Sequence, residues 1–394
     1  MSLSALPLSY CTNVHPGRNL AEVLAGLRQF TVPMRAVFGH PLAAGLWLAA
    51  PVVSELLAKE GRVAEFVRTL ADLGLPCHTL NAFPYGDFHS QRVKENVYLP
   101  DWSHPARLKY TIDCAKVLAA LLAEGVEGSI STVPLGFKGF SHSENFLDDC
   151  IGQLLTLARH LKALETETGR LIRLAIEPEP LCVLETTPEA LSFFDRLFAV
   201  ASRTGELDLA RKHLGVCYDV CHQAVEFESI ADSIGAFERA GVRLNKIHIT
   251  CALQLDEPGS NPAGREALAR YVEERYLHQT TARVRTGGVL RQLDLTTELA
   301  RNPPEEFRSA DCWRIHFHVP VDAERLGPLG TTRTELKQAL AAVAKLEYAP
   351  HLEVETYTWE VLPGGTTGKS PEALIQGLAR EMTATRSLLS DQPV

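Results

Sequence analysis

Several apolar runs in this chain end in side chains able to bind a cation or move a proton. "LAIEPEP" closes on Glu177 and Glu179. "GVCYDVCH" carries Asp219 with His222 three residues on, and "NKIHIT" carries His248. "RIHFHV" holds His316 and His318, and "LEVET" holds Glu353 and Glu355. Side chains alternate along a strand, so Ala175 shares a face with Glu177, Cys217 with Asp219, and Lys246 and Thr250 with His248. Glu177, Asp219, one histidine and Glu355 gathered at one rim would give three anionic donors and an imidazole. Unpaired, the carboxylates would repel one another. A single divalent ion resolves that conflict. Mixed carboxylate and imidazole ligation suits Mn²⁺, Co²⁺, Mg²⁺, Fe²⁺ or Zn²⁺.

Each residue also has a plainer reading. Glu177 could be a salt-bridged strand end, Asp219 a helix cap, His248 a satisfied core histidine, and Glu353 and Glu355 partners of arginines. The joint pattern outweighs these, because every member falls at a strand end in chain order. Nine cysteines lie scattered without paired CxxC motifs. They read as small buried residues of a reducing compartment, and the spacing of Cys217 and Cys221 matches no zinc knuckle.

The elements that would position these groups alternate between short apolar runs and helical patterns. The runs cover about 8–14, 45–49, 77–83, 128–134, 171–179, 214–222, 244–250 and 351–357. Helical patterns lie near 19–30, 104–124, 143–166, 229–240 and 334–347, with another starting at the Thr-Pro of "TTPEAL". Strand–helix alternation means a parallel sheet covered by helices. Eight such units close a TIM (β/α)8 barrel, whose active sites lie at the C-terminal rim of the strands. A doubly wound open sheet is the alternative, but the glycine-rich nucleotide turn is missing after the first strand. We therefore read 1–394 as one barrel domain. A β-rich insertion at about 255–320 precedes the last unit, and a loose tail starts near 384. That count leaves nine candidate strands for eight places: either "LNKIHIT" or "WRIHFHVPV" is the seventh.

The chain has 394 residues, 45% of them hydrophobic, and a formal charge of −9. That sign argues against a nucleic-acid partner. No uninterrupted apolar run is long enough to insert in a membrane, and the N-terminus lacks a signal pattern, so a cytoplasmic protein is expected.

The series "AIEPEP", "YDVCH", a strand histidine and "LEVET" resembles the xylose-isomerase-like TIM-barrel superfamily, which includes sugar and sugar-phosphate isomerases and epimerases, and endonuclease IV. The resemblance implies a metal held by Glu177, Asp219, His248 and Glu355, with His222 on the substrate. His316 stands as a rival to His248; otherwise His316 and His318 would contact substrate. "YCTNVHPG", "LNAFPYGDFH", "HFHVP" and "HLEVETYTWEVLP" further resemble metabolite-traffic proteins of the bacterial Ebo gene cluster. That likeness implies a role in making or exporting a secondary metabolite, beside other proteins of its pathway, and supplies no reaction; the superfamily likeness implies a small polyhydroxylated substrate.

The chemistry so implied is proton transfer next to a carbonyl. Glu177 and Glu355 would act as base and acid, and His222 would orient a hydroxyl. Lys246 could assist a charged oxygen or form an ion pair. Asn13, His15, Trp47, His78 and Asn81 are candidate wall residues, and Phe83 and Tyr85 a flap. Thr331 and Thr332, beside Gly327 and Gly330, would either hold a phosphate or start the last helix. Two other functions remain: a carrier that binds metabolite without turnover, and metal-dependent phosphodiester hydrolysis.

Overall fold

The computed structural model describes residues 6–363 and 370–391. Eight parallel strands close a barrel in the order β1-β14-β7-β6-β5-β4-β3-β2. They are β1 (Leu8–Cys11), β2 (Leu42–Trp47), β3 (Thr79–Asn81), β4 (Gly128–Thr132), β5 (Ile172–Ile176), β6 (Leu214–Asp219), β7 (Leu244–Ile249) and β14 (His351–Val354). Helices pack outside, so the strands carry apolar residues on their outer faces: Leu174, Ile176, Val216, Ile247 and Ile249 are at most 1% exposed.

Local sequence starts these helices where it should. Thr186 and Glu189 form a capping box ahead of the helix Thr187–Arg203, satisfying amide hydrogens that lack helical partners. Ser370 caps Pro371–Ser390, with proline in the first turn. The barrel interior is polar in its middle layer. Lys246 and Glu353 form an ion pair of 2.7 Å there, both fully buried. Only glycine fits opposite: a Cβ on Gly45 would lie 1.7 Å from a Glu353 carboxylate oxygen.

"LNKIHI" is the seventh barrel strand. β7 pairs in parallel with β6 and β14, setting His248 beside Asp219 on one side and Glu353 on the other. "WRIHFHV" belongs to a second sheet of six antiparallel strands, ordered β10-β9-β11-β8-β13-β12. Its members are β8 (Leu253–Asp256), β9 (Thr280–Arg283), β10 (Val289–Gln292), β11 (Cys312–Ile315), β12 (Arg325–Leu326) and β13 (Leu329–Thr331). The inserted sheet thus starts at Leu253 and ends at Thr331. It delivers Tyr276–Gln279, just before β9, and His316–His318, just after β11, to the barrel mouth.

Two expectations need correction. The first helix does not stop near 30: Leu20–Gly26 passes through a π-turn, Leu27–Thr31, into Val32–Phe38. The stretch from 384 is not loose as far as it is described, because Pro371–Ser390 is one helix. Its Leu378, Met382 and Thr385 are at most 1% exposed. Residues 392–394 lie outside the described residues. No helix among the described residues is long and apolar enough to cross a membrane.

Candidate metal centre and cavity

β5, β6, β7 and β14 are neighbours in the barrel, and each ends or continues into one member of a buried cluster at its C-terminal rim. Donor atoms of Glu177, Asp219, His248 and Glu355 all lie within 4.8 Å of one another. His248 Nδ1 stands at the centre, 2.9 Å from Glu177 Oε1, 3.0 Å from Glu355 Oε2 and 3.6 Å from Asp219 Oδ2.

The surrounding groups leave one donor atom of each residue turned inward. Asp219 Oδ1 accepts from the Thr250 hydroxyl at 2.7 Å and from the His222 amide at 3.1 Å. It therefore does cap the short helix Val220–Val225, yet its Oδ2 is buried without a partner. Glu355 Oε1 accepts from the Asn13 and Asn81 amides at 2.7 and 2.6 Å, leaving Oε2 toward His248. Glu177 Oε2 is also buried without a partner. Buried carboxylate oxygens are seldom left so. Their convergence fits a cation, and hard oxygen donors with one imidazole fit the divalent ions named above. Among the described residues no arginine pairs with these carboxylates.

Electrostatics agree. Burial raises the Glu177 carboxyl to about 7, only partly offset by His248. Burial would raise Asp219 and Glu355 as well, but His222 and His318 at Asp219, and His248 at Glu355, outweigh it and hold both below the ordinary range. Beneath them, His248 Nε2 faces Glu353 Oε1 at 3.3 Å. Against burial, Lys246 and His248 keep Glu353 ionised, at about 2. His248 Nδ1 donates to Glu177 Oε1 at 2.9 Å; ligation through Nδ1 would require its proton to sit on Nε2, toward Glu353.

Above the cluster lies a cavity of about 50 Å³ whose wall includes Glu177, Glu179, His222, His316, His318 and Glu355. His222 Nδ1 donates to the Pro178 carbonyl at 3.0 Å, and its Nε2 faces His316 Nε2 at 3.0 Å. His316 Nδ1 meets Gln279 Oε1 at 2.7 Å, and His318 Nδ1 donates to the Glu355 carbonyl at 2.7 Å. Asn13 and Asn81 line the same cavity.

Other expected wall residues lie elsewhere. His15 is bonded to the Tyr10 hydroxyl and stacked on Phe30 at 4.3 Å. Trp47 donates its indole N–H to the Pro84 carbonyl and packs against Phe88. Both are buried behind the first strands, away from the cavity. Lys246 lies under the cluster, committed to Glu353, Ser131 and the Leu80 carbonyl. His78 is at the opposite end of the barrel, 3.1 Å from Ser9 Oγ and edge-on to His351. Thr331 and Thr332 bond to the backbone at Ala323 and Ala252, and Thr332 precedes the helix Arg333–Val343. They hold no cavity wall. Of the two flap aromatics, Phe83 lines the cavity, while Tyr85 packs on Tyr110.

Sequence reasoning assigned no role to Glu179, Tyr98 or Gln279. Glu179 accepts from the Tyr98 hydroxyl at 2.6 Å and from Gln279 Nε2 at 3.3 Å. Burial lifts its carboxyl to about 8, with Tyr98 opposing. The second carboxylate of "EPE" was the available signal; its partners come from distant loops without a pattern. All nine cysteines are buried free thiols; burial raises Cys217 to about 12, although Cys217 lies within ligand reach of Glu177 and His248, and Cys221 of His316 and His318.

Comparison with solved structures agrees on the scaffold. A xylose isomerase-like TIM barrel protein from Mycobacterium smegmatis, in complex with magnesium, matches at TM-score 0.54 and 12% identity, covering 99% of each chain. The IOLI protein with a bound zinc atom matches at TM-score 0.49 and 12% identity, over 98% of this chain and 99% of that one. A sugar phosphate isomerase/epimerase-like protein from Anabaena variabilis matches at 0.48 and 12%, over 98% and 99%. The fold is a xylose isomerase-like TIM barrel. No family model and no curated protein matches the chain.

Proposed function

We propose that this protein is a divalent-metal-dependent isomerase or epimerase of a small polyhydroxylated carbonyl compound. The observation that carries the reading is that one donor atom each of Glu177, Asp219, His248 and Glu355 lies within 4.8 Å of the others, with Glu177 and Glu355 opening onto a cavity. These four residues would hold the ion. Bound there, it would polarise a carbonyl and a neighbouring hydroxyl and so acidify the C–H between them.

The chain's own residues supply the rest. Glu177, with a carboxyl near neutrality, suits removal of a proton at working pH. Glu355 receives the role of returning it from the other side. Glu179, protonated at neutral pH, offers a hydrogen bond to a substrate hydroxyl. His222 and His316, held through Nδ1 by the Pro178 and Gln279 carbonyl oxygens, fix the shape of the wall. Phe83, Phe88 and Tyr357 close the cavity against water.

The longer motif likeness points to an EboE-type role in metabolite traffic or secondary metabolism, with other proteins of that pathway as partners and the cytoplasm as location. The magnesium in the Mycobacterium smegmatis neighbour makes magnesium the first ion to test. Incubation of ion-loaded protein with ketoses and cyclitol ketones in D₂O tests the chemistry. Solvent deuterium at the carbon beside the carbonyl is expected, and Glu177→Gln should abolish it. Metabolite binding with no deuterium uptake would instead mark a carrier.

A further inference from the structure

The donors and acceptors around the cavity say what kind of ligand it takes. The unpartnered buried atoms on its wall are Asn13 Oδ1, Glu177 Oε2, His318 Nε2 and the Tyr276 hydroxyl, which can donate or accept. The first two are acceptors by nature. The third is an acceptor because His318 Nδ1 donates to the Glu355 carbonyl. The amide donors nearby are already spent. The Asn13 and Asn81 amides serve Glu355. His222 and His316 donate from Nδ1 to the Pro178 and Gln279 oxygens, which leaves their Nε2 atoms, 3.0 Å apart, as two further acceptors.

Lys94 is the one lysine or arginine among the described residues that line the cavity. Its ammonium has three hydrogens, and all three are taken: the Glu273 carbonyl at 2.9 Å, the Tyr276 carbonyl at 2.6 Å and Asp294 Oδ2 at 2.6 Å. The wall otherwise alternates carboxyls with apolar side chains such as Phe83, Phe88, Val97 and Leu277. A divalent ion would not reverse the sign, since Glu177, Asp219 and Glu355 together bring three negative charges.

We infer that the cavity selects an uncharged polyhydroxylated compound and rejects its phosphate esters and acids. Hydroxyl hydrogens match the waiting acceptors, and ring C–H faces match the aromatic walls. A phosphate dianion carries acceptors only, so it would lose its hydration against a wall rich in acceptors and carboxyls, with no free lysine or arginine among the described residues there to meet its charge. Thr331 and Thr332, the sequence's one phosphate candidate, lie outside the cavity. This inference rests on the cavity being the substrate site of the proposed function, though not on its chemistry.

The test is calorimetric titration of the magnesium-loaded full chain with a ketohexose and a cyclitol ketone, each paired with its own phosphate monoester. The neutral member should bind at least about tenfold tighter in each pair. Val97→Arg, at a half-buried wall position, should raise affinity for the esters by about tenfold or more. Esters that bind as tightly as the neutral compounds, or tighter, overturn the inference, as does failure of all four to bind at millimolar concentration. Neutral preference without deuterium uptake would reject the proton-transfer reading and leave this selectivity standing.

Discussion

Glu353 is an ionised carboxylate with no exposure to water, stabilised by Lys246 below and His248 above. Breaking such a buried pair leaves a lone charge, at a cost of about 3–5 kcal/mol. Lys246→Met should therefore lower unfolding stability by that order in denaturant titration. Glu353→Gln keeps the shape but removes the anion that orients His248, and should weaken metal affinity by about 10–100-fold. Metal affinity unchanged in Glu353→Gln would remove Glu353 from the account. Protons tell the same story. Burial raises Glu177, Glu179 and Glu381 to about 7, 8 and 7 from the ordinary 4.5. These three carboxyls hold protons in the folded chain that they release in the unfolded chain between about pH 4.5 and 8, so their contribution to metal-free stability falls as pH rises, while buried neutral histidines such as His15, His78 and His222 act the opposite way below about 6.5. Glu353 acts oppositely: its contribution is present above about 4.5 and is lost toward pH 2. In chelator the unfolding midpoint should drop from about pH 6.5 to pH 8, above the histidine range, and Glu179→Gln should flatten that slope. An unchanged slope would contradict the assignment.

The segments over the mouth are held by few clasps. Val93 and Lys94 amides donate to the Arg275 carbonyl, and Lys94 reaches Glu273, Tyr276 and Asp294. Arg107 donates to the Ala82, Phe83 and Pro100 carbonyls from the base of the same loop. A cavity of about 50 Å³ admits a sugar-sized ligand only if this roof gives way. Lys94→Met should accelerate ligand association in stopped-flow binding, and an unchanged rate would show that entry does not pass the clasp. Glu381 is a second tie. Its carboxylate accepts from the Val321 amide, the Thr356 hydroxyl and the Trp359 indole, fixing the last helix against the segments that follow His318 and Val354. Glu381→Gln turns a donor toward these donors and should cost about 1–3 kcal/mol.

Much of this was readable in the chain. Strand-end polarity marked the cluster, because a barrel strand alternates faces and only its rim tolerates charge. The choice between "LNKIHIT" and "WRIHFHVPV" was not readable, because both have strand periodicity. The decision is made by pairing partners far away, Asp219 and Glu353 against Gln254 and Thr281. His15 and Trp47 misled because a polar or aromatic residue after a first strand can face the helices as well as the mouth. Glu179 was visible as a residue but not as a site, since Tyr98 and Gln279 arrive from the roof and the insertion.

Seen as a whole, the molecule is a barrel whose floor has a charge deficit and whose inserted sheet brings imidazoles and apolar groups to the opening. An ion that binds only the folded cluster must stabilise the entire fold. Magnesium or manganese added to metal-free protein should raise the unfolding midpoint, and Asp219→Ala should abolish the rise. The most direct measurement is elemental analysis of untagged protein, wild type beside Glu177→Ala and Asp219→Ala, each shown folded by circular dichroism. The account predicts about one divalent ion per wild-type chain and strong depletion in both variants. Equal metal content in all three would contradict it.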